Sequence, residues 1–269
     1  MNPNLRWDMA DTPWGELQAE RVVDNDALRY MVCVASFVEI TTDLYTRNLI
    51  EKFADDAIVS AWLRDEWEPQ EMQHGQSLRE YIRHVWPDFE WDRVYRDFLA
   101  EFSRYAAPEF LLPERSLEMV SRCVVEMGTS SYYTALHRAT DEPVLCWLTK
   151  RIYQDEISHY KYFLRYFHRY REQDGVTRRQ VAWTLFQRLR MIDGEDSHTS
   201  IKYVHGALHP DQPWNDRVYR QIVRRCRKVA SPYVPHRMSA KMLLRPLDIT
   251  PLAQRVLEPA LAGVARLVA

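Results

Sequence analysis

The order of ionisable residues inside apolar helices constrains this chain more than anything else in it. Glu39 sits in Phe37-Val38-Glu39-Ile40, and 32 residues later comes Glu71-Met72-Gln73-His74. Glu126 sits in Val124-Val125-Glu126-Met127, and 30 residues later comes Glu156-Ile157-Ser158-His159. The pattern is therefore Glu, Glu-x-x-His, Glu, Glu-x-x-His. A carboxylate and an imidazole three residues apart on a helix project from one side of it. Each interval of about 30 residues is one helix out, a turn and one helix back. An antiparallel hairpin with matched arms brings its two members to one height.

The surrounding chain supports helices. Of 269 residues only 7 are glycine, and long segments keep a 3.6-residue apolar period. A first helix is expected from about 26 to 53, with Tyr30, Val34, Phe37, Ile40 and Leu44 at helical spacing. Asp55-Asp56 offers a cap for a second, running to about 85 and kinked by Pro69. A shorter helix at 92–106 precedes a Pro-containing loop. A third long helix spans about 116–139. A fourth starts at Asp141-Glu142-Pro143 and ends near Gln173-Asp174-Gly175. Amphipathic helices are expected at 176–193 and 196–207, and 211–245 is mixed. The last segment places Leu257, Leu261, Val264 and Val268 on one face. The fold expected is all-α: an irregular arm over 1–25, a four-helix bundle over 26–172, and a helical extension over 173–269 packed on it.

Four carboxylates in one core layer repel one another and lose hydration. Two divalent cations remove that problem. Glu39, Glu71, His74, Glu126, Glu156 and His159 form the donor set of a dinuclear carboxylate site in a bundle core. Oxygen and nitrogen donors suit two iron ions, with manganese an alternative in one position. Another Glu-x-x-His, Glu195-Asp196-Ser197-His198, follows Gly194 at a helix start, where such residues cap. It has no partner Glu a hairpin earlier. His205 and His209 read as surface or loop residues, and whether they or His198 join the site stays open.

These motifs resemble the ferritin-like diiron oxidoreductases, and among them the soluble acyl-carrier-protein desaturases. Trp67-Glu68-Pro69-Gln70-Glu71-Met72-Gln73-His74-Gly75 is similar to the desaturase W-x-x-E-E-x-x-H-G, and Asp155-Glu156-Ile157-Ser158-His159 to its D-E-x-x-H. Glu126 is followed by Thr129, as in the family. The resemblance covers roughly 26–170. It implies a ferritin-like bundle, two Fe ions and O₂ as oxidant. Glu39 and Glu156 would be terminal or flexible ligands, completed by Glu71 and Glu126. Which carboxylates bridge stays open, the family bridging with the two Glu of the Glu-x-x-His motifs. Asp155 would accept from the far nitrogen of His74 and fix its tautomer. Thr129 would relay protons or bond back to a helix carbonyl.

The sequence also departs from the family. Gln70 stands where desaturases carry a carboxylate matched to His159, and Pro69 is foreign to the motif. Diiron N-oxygenases place an extra His one turn before the fourth-helix Glu, where this chain has Ile152. The expected activity is O₂-dependent oxidation, of desaturase or oxygenase type, of an apolar acyl substrate, either carrier-bound or free. Metal handling, peroxide scavenging and N-oxygenation of a small amine are the alternatives.

The net charge of −2 argues against nucleic acid, while segment 217–245 carries nine Lys or Arg and no Asp or Glu. Such a surface could dock an acidic acyl carrier protein, a ferredoxin-type electron donor or anionic lipid. No apolar run reaches transmembrane length, and no signal pattern opens the chain. The four cysteines lie far apart and read as reduced core residues. A cytoplasmic homodimer is the expectation.

Overall fold

The computed structural model describes residues 5–105, 111–191 and 195–268, excluding the side chains of Tyr105, Glu195, Asp196, Leu267 and Val268. Among the described residues all regular structure is helical. The long helices are α1 (Asp26–Ile40), α2 (Thr42–Lys52), α3 (Ala57–Trp62), α4 (Glu68–Val85), α5 (Trp91–Phe102), α6 (Arg115–Ala139), α7 (Pro143–Asp174), α8 (Arg178–Met191), α9 (Glu195–Leu208), α10 (Asp216–Ala230), α11 (His236–Leu244) and α12 (Pro251–Val268). They divide into two compact units. One comprises 1–110, 140–148 and 193–229; the other comprises 111–139, 149–192 and 230–269.

In the first unit, α1 packs along α4 and against α9, and α5 packs against α9. Phe37 of α1 meets Trp91 and Phe98 of α5, each at 5.3 Å between ring centres, and the Trp91 indole donates to Ser36 Oγ at 2.8 Å. Each buried aromatic of this kind contributes of order 2–3 kcal/mol through burial alone. The first expected helix breaks in two at Thr41, whose hydroxyl donates to the Val38 carbonyl at 2.6 Å. A threonine that satisfies a helix carbonyl with its own side chain competes with continuation of the ladder.

The kink expected at Pro69 takes a different form. Residues Leu63–Trp67 make a π turn between α3 and α4, and Pro69 falls in the first turn of α4. Proline has no N–H for the ladder and its ring crowds the carbonyl four residues back, so a wider turn ahead of it relieves both conflicts. Residues five apart then align, and Trp62 stacks on Trp67 with centres 6.4 Å apart.

The N-terminal arm is irregular but tied down by short 3₁₀ turns. Gln18 N donates to Glu142 Oε1 at 3.1 Å, Arg21 pairs with Asp141 at 2.9 Å, and Trp14 stacks on His84 at 4.2 Å. Buried Trp7 stacks on His74, with centres 6.3 Å apart and planes within 6°.

Segment 211–245, mixed in the sequence reading, contains α10 and α11. His205 of α9 is buried and its Nδ1 lies 3.1 Å from Tyr30 Oη of α1, so it is a core residue rather than a surface one. Burial is the main cause holding its pKa below 6.5; His209 and Arg225 lower it further, and the Gln212 backbone works the other way. A base whose folded pKa is depressed stabilises the fold fully above 6.5, and that stability drains away as pH falls from 6.5 through the folded value. Urea titrations between pH 8 and 5 should show this loss, with His205 contributing at most about 1.4 kcal/mol per pH unit. The variant His205→Gln should have a shallower slope over that window.

In the second unit, α6 packs against α8 and α11, and α11 against α12. Asp174 Oδ2 accepts from Ser116 N at 2.7 Å and caps α6, while buried Glu118 pairs with Arg122 at 2.8 Å and accepts from Leu112 N at 2.9 Å. Tyr160 Oη donates to the Met242 carbonyl at 2.6 Å, fixing α11 against α7. Helix α7 starts and stops where the sequence says it should. Glu142 accepts from Val144 N and Leu145 N at 3.2 and 2.7 Å just before Pro143, and Gly175 follows at φ +63°, the left-handed conformation that ends helices.

Candidate metal centre

The donors stand on interior faces because their neighbours are apolar at helical spacing. Glu39 lies between Phe37 and Ile40 of α1, both buried, and His74 of α4 is fully buried. His74 Nδ1 is 4.0 Å from Glu39 Oε2. Close approach of α1 and α4 at this point depends on Gly75. A Cβ there would stand 2.4 Å from Ile40 Cγ1, 2.8 Å from Ile40 N and 3.0 Å from Glu39 Cβ. The residue after His74 is small because the backbone and side chains of α1 occupy the space a side chain would need.

On α6 and α7 the same arrangement recurs. His159 Nδ1 lies 3.6 Å from Glu126 Oε2, and Glu126, Glu156 and His159 are all buried. Thr129 Oγ1 donates to Glu156 Oε2 at 2.5 Å, with the Val125 and Glu126 carbonyls at 3.3 and 3.2 Å. A hydroxyl has one proton, and the short contact to a carboxylate is the stronger bond. Thr129 thus bonds across to Glu156 of α7, a contact the sequence did not indicate, with its own helix carbonyls nearby. Asp155 is buried beside Glu156.

Two sets of four buried residues each offer one ligand atom, all within 4.8 Å of one another. One is Glu39, Glu71, His74 and Glu156; the other is Glu71, Glu126, Glu156 and His159. All six sequence-derived ligands are included, and Glu71 and Glu156 belong to both sets. His198, His205 and His209 belong to neither. The donor chemistry is carboxylate oxygen and imidazole nitrogen, hard to borderline, without thiolate. That suits a hard or borderline divalent cation better than a soft ion. Carboxylates gathered this tightly in a buried place carry like charge that a cation neutralises. These buried Glu and His groups could hold metal.

Trp7 is the contributor that sequence reasoning missed. Its ring covers His74, its carbonyl accepts from Gln73 Nε2 at 3.2 Å, and Trp147 meets it edge-on at 5.6 Å. The available signal was a pair of tryptophans in an arm otherwise full of breakers. Gln70, at the departure from the desaturase pattern, is also buried. The four cysteines are not in disulfides, and burial pushes the Cys33 thiol up to about 12.

No family model, curated protein or solved structure matches this chain. Its residues define a helical protein with a buried carboxylate–imidazole cluster competent for metal.

Proposed function

We propose that the chain is a ferritin-like non-haem diiron oxidoreductase that uses O₂ to oxidise an apolar, acyl-type substrate. The observation that carries this reading is the pair of buried four-residue sets sharing Glu71 and Glu156. Two irons would sit one in each set, with Glu71 and Glu156 placed to serve both and manganese an alternative in one position. When bound, such a pair would supply oxygen activation, passing electrons to O₂ and taking them from a C–H or N–H bond, with an external electron donor restoring its reduced state.

The protein's own residues do the rest. Glu39, Glu71, His74, Glu126, Glu156 and His159 hold the ions. Thr129 orients Glu156 and can hold a proton at Oγ1. Asp155 would fix the His74 tautomer. Trp7 shields His74 from water on the side where it stacks. The exposed cations of α10, among them Arg217, Arg220, Arg224 and Lys228, provide a basic face for an acidic carrier protein or electron donor.

Iron content and O₂ consumption test the proposal. Apo-protein given Fe(II) should retain about two irons per chain, the number two such sets can hold, and should consume O₂ faster when an acyl substrate is added. Many irons per chain in a large assembly would identify a storage protein instead. O₂ consumption indifferent to any acyl compound, with peroxide removed, would identify a scavenger.

A further inference from the structure

The geometry points to α11 and α12 as a docking surface for an anionic lipid bilayer. The inference does not depend on the metal. It begins with apolar side chains left in water on α12: Leu252 is 73% exposed, Val256 63%, Leu257 42% and Val264 58%. At about 100° per residue, Leu252, Val256, Pro259 and Gly263 share one side of this rod, and Leu257 and Val264 each stand about 100° round from it. Arg255 and Arg266, both exposed, run along its margin. The opposite side packs along α11.

Helix α11 supplies the charge. Arg237 and Lys241, with Arg245 just past its end, recur every four residues and are all exposed. Of the three, Arg237 pairs with Glu258 of α12 at 2.9 Å. An apolar stripe bordered by arginine, beside a row of cations, matches an anionic interface in both of its chemistries. The aliphatic groups enter the acyl boundary and the cations meet headgroup phosphates. Helix α8 of the same unit repeats the composition, with exposed Trp183 and Phe186, exposed Arg178, Arg179 and Arg190, and no Asp or Glu. Among the described residues no helix is long and apolar enough to cross a membrane, and the contact proposed is an interfacial one. A second copy of the chain fits worse. A twofold contact through α12 would set Arg255, Arg266 and the α11 row against their own duplicates.

The test is co-sedimentation of the full chain with vesicles of phosphatidylcholine containing about one-third phosphatidylglycerol, against vesicles of phosphatidylcholine alone. The intact protein should sediment with the anionic vesicles and release as salt rises. The pair Leu252→Glu with Val256→Glu should weaken partitioning more than tenfold. Lys241→Ala and Arg245→Ala should each weaken it roughly fivefold. All four positions are exposed, so circular dichroism should stay unchanged and iron content should match the unaltered chain. Three results would overturn the proposal: intact protein that stays in the supernatant, a Glu pair that sediments like the unaltered chain, or light scattering showing a dimer that the Glu pair splits.

Discussion

Apo-protein carrying Glu156→Ala should bind no dinuclear metal. Glu156 belongs to both buried donor sets, so its removal leaves each with three residues. Losing one of four donors from a single set costs affinity at that ion; losing a donor from both affects the two ions together. Metal analysis after dialysis against Fe(II) or Mn(II) should fall from about two ions per chain to less than about 0.2, the two-ion expectation being that of the bundle site. Glu39→Ala touches one set and should retain roughly one ion per chain. If Glu156→Ala retains both ions, the assignment fails, whatever the oxidation activity. Metal-free Glu156→Ala should at the same time be as stable as the metal-free parent or more so, because one buried carboxylate of a repelling group has gone. Thermal melts without metal check that sign.

The second large effect is at Gly75. Changing it to Val should abolish metal binding and destabilise the first unit by more than about 3 kcal/mol, the upper end of ordinary overpacking. The reason is the backbone. A Cβ at 75 meets Ile40 N at 2.8 Å, and no rotamer change moves a backbone nitrogen. Helix α1 must shift, and Glu39, whose Cβ lies 3.0 Å from the same point, shifts with it. Gly75→Ala should show the same fault at smaller amplitude, with metal affinity falling more than stability. Chemical denaturation alongside metal titration separates the two. An Ala variant with full affinity would mean that the α1–α4 spacing is not what positions Glu39.

All six candidate ligands were legible in the sequence because helical periodicity and motif spacing are local signals, and both Glu-x-x-His pairs carry them. The caps of α7 were legible for the same reason: Glu142, Pro143 and Gly175 act within a few residues of themselves. Other features depend on partners distant in sequence. Trp7 gave no sign of its target because the arm has no period, and its ring finds His74 across 67 positions of chain. The break at Thr41 was hidden because a threonine in a helix is ordinary until its hydroxyl turns back on Val38. His205 read as surface since nothing adjacent to it reveals the Tyr30 hydroxyl. Exposure of α12 was equally illegible: an amphipathic pattern gives the direction of the apolar side and says nothing of what faces it.

The π turn at Leu63–Trp67 has a consequence for insertions and deletions. Such a turn is a regular helix holding one residue too many, so α3 and α4 keep separate angular phases, and a helical wheel drawn through both would misplace one of them. A π turn spreads over five residues the rotation that a regular helix makes in about four, so deleting a single residue from 63–66 would restore an unbroken ladder and leave everything upstream in its present phase relative to α4. Trp62 and Trp67 would still share one side, now a single α turn apart. This short segment is thus a place where losing one codon shortens the rod without turning it.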